Sequence, residues 1–184
     1  MSRYAAVSSQ GSDEKSLLRN VLDTIENGDV AVWDTFFGSY FLLVEMMERG
    51  VDVLFEQFGD RQSTTDFGKG ITLGKKDHLI EFNKPKAKPD WMTQEAYNEA
   101  PEKITIRELK VGKRILITTM QSPKEYPKKV LGALYKQRWH VEVDFRNIKT
   151  TLGLAVLSCK TPVMCQKEIW VYFLASNLIR LLMS

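Results

Sequence analysis

The chain has 184 residues, a net charge of +3, 43% hydrophobic and 27% charged residues, the make-up of an ordinary globular protein with one domain or one domain carrying an insertion. That excludes fibrous and intrinsically disordered classes, and the small basic excess permits nucleic-acid binding without arguing for it. No signal-peptide pattern opens the chain, and the nearest thing to a membrane span, 169–183, is interrupted by Ser176, Asn177 and Arg180.

Residues 1–11 are small and polar and read as a frayed start. Ser12 is placed to cap a helix running to Asn27, with Leu17, Leu18, Val21, Leu22 and Ile25 on its apolar face. Asn27-Gly28 ends it, and 29–34 reads as a short buried strand with Asp34 at its carboxyl end. A helix stopping at Gly50 and a strand over 51–58 follow. The alternation of helix and strand predicts a parallel α/β layer, in which ligands gather beyond the carboxyl ends of the strands. Asp34 has that place, although an aspartate there also suits a helix cap or a turn.

From Gly59 to Gly112 short stretches are punctuated by glycine and proline. Turns are expected at 68–70 and 73–77, strands at 78–83 and 104–111, and a short helix at 93–99, together an inserted, mostly β lobe. The run Lys84-Pro85-Lys86-Ala87-Lys88 reads as an exposed loop, either solvated or touching phosphate. A last strand covers 114–120, Ser122-Pro123 starts a helix, Pro127 kinks the chain, and a long helix runs on to Gly153. Thr161-Pro162 opens a final helix expected to pack on the core through Val163, Ile169, Trp170, Phe173, Leu174 and Leu178. Cys159 and Cys165 have no second pair and no histidine at ligand spacing, so they read as buried thiols in a reducing cytosol rather than a zinc site.

The long helix carries the chemistry. Counted from Tyr135 at about 100° per residue, Arg138 lies at about 300°, Glu142 at about 340° and Lys149 at about 320°, on one narrow face. Leu131, Leu134, Val141, Phe145, Ile148 and Leu152 fill the adjoining arc, which puts the polar set at the seam between core and solvent. A hydroxyl, a guanidinium, a carboxylate and an ammonium so stacked suit a metal-assisted phosphodiester site. They equally suit a solvated flank in which Arg138 and Glu142 form an i, i+4 pair. His140 is turned about 140° from Tyr135, which favours an exposed role over a catalytic one. Trp139 is expected in a core or lobe contact, with base stacking as the sharper alternative. His78 has nothing acidic at ligand spacing.

Tyr135-x-x-Arg138-x-x-x-Glu142-x-x-x-x-x-x-Lys149 resembles, without a gap, the signature of one large branch of bacterial insertion-sequence transposases of the DDE type. The flanks Leu134-Tyr135, Trp139-His140-Val141, 148–153 and 160–162 are similar too, and the likeness extends from Ser12 to the C-terminus. It implies an α/β, ribonuclease H-like catalytic fold with an inserted β-rich lobe, divided here as 12–58 and 113–184 for the core and 59–112 for the lobe. Two aspartates and a glutamate of that fold hold Mg²⁺ or Mn²⁺, hard cations that suit oxygen ligands and in-line displacement. By the resemblance, Glu142 and Asp34 are metal-binding catalytic residues, and Tyr135, Arg138 and Lys149 hold phosphates of double-stranded transposon-end DNA.

Two departures stand out. Thr35-Phe36 replaces the Arg and Gly or Tyr that commonly follow the second aspartate, and none of Asp13, Asp23 and Asp29 falls where the first aspartate belongs. The resemblance therefore implies an N-terminally incomplete fold, inactive alone. Such a chain would cut and join DNA only as part of a fuller transposase, or bind DNA as a non-catalytic remnant or inhibitor, as a homodimer or paired with a full-length transposase, in the bacterial cytoplasm at the nucleoid.

Overall fold

In a computed structural model the structure describes residues 18, 22–35, 38–57, 65–154 and 156–183. The chain divides into two compact units, Glu26–Arg138 and a second made of Met1–Ile25 with Trp139–Ser184. The expected cap at Ser12 and most of the first helix lie outside the described residues; within them, Leu22–Thr24 form a 3-10 turn with Leu22 buried.

The unit Glu26–Arg138 is built on a mixed sheet. Its strands are β1 (Val30–Trp33), β2 (Asp52–Glu56), β3 (Ile71–Gly74), β4 (Asp77–Asn83), β5 (Lys103–Val111) and β6 (Arg114–Thr118), in the order β1-β2-β6-β5-β4-β3. β1 and β2 pair in parallel, as the helix and strand alternation predicts, and every other pairing is antiparallel. The strands of the glycine-rich stretch thus continue the same sheet through β6. β3 was not expected: Ile71–Gly74 is short, exposed and bounded by glycines, so its sequence reads as a turn.

Between β1 and β2 runs α1 (Tyr40–Glu48). Its end is set by Gly50 at φ +69°, with Gly50 N donating to Met47 O and Val51 N to Met46 O, the paired bonds that satisfy the last carbonyls of a helix closed by a left-handed residue. Gly38 precedes α1 because no side chain fits: an added Cβ would lie 2.4 Å from the Phe55 ring. A short α2 (Gln94–Glu99) is capped by Thr93, whose hydroxyl accepts from Ala96 N.

α3 (Lys128–Thr150) begins in this unit. Side chains alternate across a strand, so Leu54 joins Leu109, Leu116, Met120, Leu131 and Tyr135 in one buried cluster under the start of α3, while Phe55 turns to the Gly38 side. Pro127 does not kink a helix begun at Ser122. Tyr126 N donates to Ser122 O in a single turn, and Pro127 O accepts from Val130 N and Leu131 N. Proline lacks an N–H and cannot continue the turn before it, so it opens α3 instead.

The Lys84–Lys88 run is more than a solvated loop. Lys84 Nζ donates to Ala100 O and Glu102, Lys88 Nζ donates to Pro89 O and Met92 O, and the Tyr97 hydroxyl binds the carbonyls of Pro85 and Lys86. His78 also has an acid after all, since Glu108 stands opposite it across β4 and β5 with its carboxylate 3.0 Å from Nε2.

In the second unit α3 continues to Thr150 and α4 spans Pro162–Met183. The expectation that α4 is packed through six apolar residues is corrected. Phe173 is buried, whereas Val163, Leu174 and Leu178 are exposed, because α4 is apolar on every side and a core can take only one. Trp139 is likewise 57% exposed, with the Arg146 guanidinium 6.0 Å from its ring centre. Cys159 and Cys165 are free and half-buried; Cys165 Sγ donates to Cys159 O. Hydrogen bonding and burial raise the Cys159 thiol, the bond to Glu168 foremost. Among the described residues no helix is long and apolar enough to cross a membrane.

Candidate functional site

Asp34 follows the last residue of β1, at the carboxyl end of the parallel pair. Its carboxylate accepts from Thr35 N at 2.6 Å and Thr35 Oγ1 at 3.0 Å. Its other oxygen lies 3.5 Å from Arg138 Nη1, and the side chain is 51% exposed. The strand end and the signature helix are thus joined within one compact unit by two of the residues singled out from the sequence.

Tyr135 is not at the seam between core and solvent. It is buried, 3% exposed, inside the cluster with Leu54, Leu116 and Leu131. The wheel gives the face but not what covers it, and here the sheet does. The Tyr135 hydroxyl reaches Glu56 at 3.4 Å, the long end of hydrogen-bond distance. The guanidinium carbons of Arg138 and Arg114 lie 5.6 and 5.7 Å from its ring centre, within range of cation–π attraction. Burial pushes the Tyr135 hydroxyl above its ordinary value, opposed by Arg138 and Arg114 and reinforced by Glu56.

Glu56 and Arg114 are additions that the sequence alone did not point to. Glu56 ends β2 just as Asp34 follows β1, and the register Trp33↔Phe55 sets the two ends side by side. That place was legible. Arg114, 3.5 Å from Glu56, was not, because it depends on β6 pairing antiparallel to β2, with Glu56 opposite Leu116.

Glu142 and Lys149 stand on the later turns of α3, in the other unit, Glu142 half-buried and Lys149 exposed. The helix itself spans Lys128–Thr150. Among the described residues no group of three or more His, Cys, Asp or Glu side chains is disposed to hold a metal ion. What the residues around Asp34 offer is an exposed carboxylate facing the Arg138 guanidinium, a combination suited to phosphate and to exchangeable ions.

Residues 2–178 match the family model described as the transposase DDE domain. Over 115 residues the chain is 32% identical to the transposase InsG for insertion sequence element IS4 of Escherichia coli (strain K12), a match taking in 59% of this chain and 25% of that protein. The chain thus spans about a quarter of that relative's length. No solved structure matches. With the family model covering nearly the whole chain, the protein belongs to the DDE insertion-sequence transposases.

Proposed function

We propose that the chain acts in DNA transposition as part of a ribonuclease H-like transposase core with a β-rich lobe over 59–112, binding double-stranded transposon-end DNA at the nucleoid, singly or paired with another transposase chain. The observation that carries this reading is the approach of Arg138, on the signature helix, to Asp34 at a strand end where α/β sheets bind ligands. Family membership supports it.

In this reading Asp34 and Glu142 supply oxygen ligands to Mg²⁺ or Mn²⁺, an ion that when bound would activate the attacking oxygen and stabilise the leaving one. The donor chemistry fits a hard cation. The chain's own residues orient DNA: Arg138 and Lys149 contact phosphates by charge-assisted hydrogen bonds, and Tyr135 fixes the position of Arg138 from its buried ring.

The test is a metal titration by calorimetry beside DNA binding at several salt concentrations. Asp34→Asn and Glu142→Gln should each abolish Mg²⁺ or Mn²⁺ binding while leaving the fold intact. Arg138→Ala and Lys149→Ala should each lower the slope of log K against log salt by roughly one. Unchanged metal affinity in both carboxylate variants would remove the ligand assignment. DNA binding kept without any metal binding would favour the non-catalytic DNA-binding reading instead.

A further inference from the structure

We infer that the turns at one end of the sheet form a second phosphate-binding ridge for duplex DNA, built from Lys75, Lys76, Lys113 and Lys129. The inference rests on the DNA-acting reading above and extends it to residues which that reading does not use.

The strand registers bring these residues together. Glu56, at the carboxyl end of β2, stands opposite Leu116 near the start of β6, so the β5–β6 turn lies at the same end of the sheet as Asp34. Val111 pairs with Arg114, and Asp77 with Leu109, which brings the β3–β4 turn to that end as well. The start of α3 joins them, because Lys128 Nζ donates to the carbonyls of Lys75 and Lys76 at 2.8 and 3.1 Å. All of this lies within the unit Glu26–Arg138. From the spacing of strands the two turns stand about 10 Å apart, a span that takes in several phosphates of a duplex, which carries one per about 3.4 Å on each strand.

Among the described residues the charge at this end is not cancelled. Lys75, Lys76, Lys113 and Lys129 are exposed. Asp77 is buried against Arg107, Glu56 lies beside Arg114 and Asp34 beside Arg138, so each of these acids already faces a guanidinium. Lys124 and Glu125, just ahead of α3, offset each other. At the opposite end Lys84 and Lys88 are committed to backbone carbonyls and Lys103 to Glu81.

One local feature favours an anion here. The first turn of α3 has Lys128 and Lys129 and no acidic residue, although the positive end of a helix favours negative charge. A phosphate backbone satisfies both the helix end and the lysines.

The experiment uses the full chain, a short fluorescent duplex of mixed sequence and vesicles containing phosphatidylserine. The variant Lys75→Gln/Lys76→Gln/Lys113→Gln/Lys129→Gln should lower the slope of log K against log salt by about 0.9 for each phosphate no longer neutralised, up to between 3 and 4 in all. Lys86→Gln/Lys103→Gln, at the other end, should leave it unchanged. Thermal melting checks folding, and if the fourfold variant does not fold, Lys75→Gln/Lys113→Gln carries the same comparison. An unchanged slope in the ridge variant, with a lowered slope in Arg138→Ala, overturns the ridge alone. A parent chain that binds no duplex overturns the ridge and the functional reading together. Vesicle binding abolished in the ridge variant with duplex binding intact overturns the choice of DNA.

Discussion

Replacing Arg107 by leucine removes the clasp that fixes the start of the signature helix to the sheet. Arg107 is fully buried, and its Nε and Nη2 hold both oxygens of Asp77 at 2.8 and 2.7 Å. Its Nη1 donates to Tyr126 O at 2.8 Å, one residue before Pro127 opens α3. Arg107→Leu strands the Asp77 carboxylate in the core and leaves that carbonyl unpaired. Breaking a buried ion pair from one side costs about 3–5 kcal/mol, and the orphaned carbonyl, about 1–3 kcal/mol in isolation, overlaps with that rather than adding in full. Against a total stability of about 5–15 kcal/mol this is a large share. With a urea slope of about 2 kcal/mol per molar, the midpoint should fall by roughly 1.5–2.5 M, read by circular dichroism with the slope unchanged. Asp77→Leu/Arg107→Leu should recover much of the loss, because two well-packed apolar groups replace a pair whose desolvation consumes most of its attraction. A shift under about 0.5 M in Arg107→Leu, or a double variant no better than the single, would refute the reasoning.

Two further outcomes follow from the packing around the site. Because burial raises the Tyr135 hydroxyl above its ordinary value of 10.0, the stability from its neutral form is complete below that pH and is lost as pH rises through the higher folded value. Tyr135→Phe should therefore flatten the decline in urea midpoint above about pH 10, leaving the part owed to Tyr40, which is raised in the same way; an identical decline in both proteins would contradict the burial of the hydroxyl. Gly38→Ala drives a methyl to within 2.4 Å of the Phe55 ring, so differential scanning calorimetry should show a loss of about 1–3 kcal/mol, and an unchanged melting temperature would mean that the ring moves freely.

The sequence carried what depends on local period and punctuation. The strand before Asp34, the helix closed by Gly50 and the long signature helix all follow from spacing, caps and glycine placement, and each is present within the described residues. Where a residue's role depends on a distant partner, spacing was silent. His78 meets Glu108, and Arg114 meets Glu56, only through cross-strand registers. Lys84 and Lys88 bind carbonyls that any exposed loop would leave to water. Helical phase located Tyr135 on the correct face but could not reveal that the sheet covers it. The same limit explains α4, whose apolar residues surround the helix, so period alone cannot choose the buried side.

The strength of the Asp34–Arg138 pair bears on how such a site can exchange ligands. At 3.5 Å and an effective dielectric of about 20, the gross attraction is about 5 kcal/mol. Asp34 is 51% exposed and Arg138 22% exposed, so water and salt reduce the net worth of the pair to roughly 0–1 kcal/mol. A contact of that size is held in the absence of competitors and released cheaply to them. In the proposed reading a divalent cation held by the carboxylate would displace the guanidinium at little cost, and the displaced group would not enter water unsupported. The Tyr135 ring, buried in the core, lies 5.6 Å from it and would keep it near the strand end, where in the proposed reading a DNA phosphate would take the place of the carboxylate. Burying Tyr135 therefore does for Arg138 what a surface tyrosine could not: it gives the guanidinium a fixed neighbour that stays in place whether or not Asp34 is paired with it.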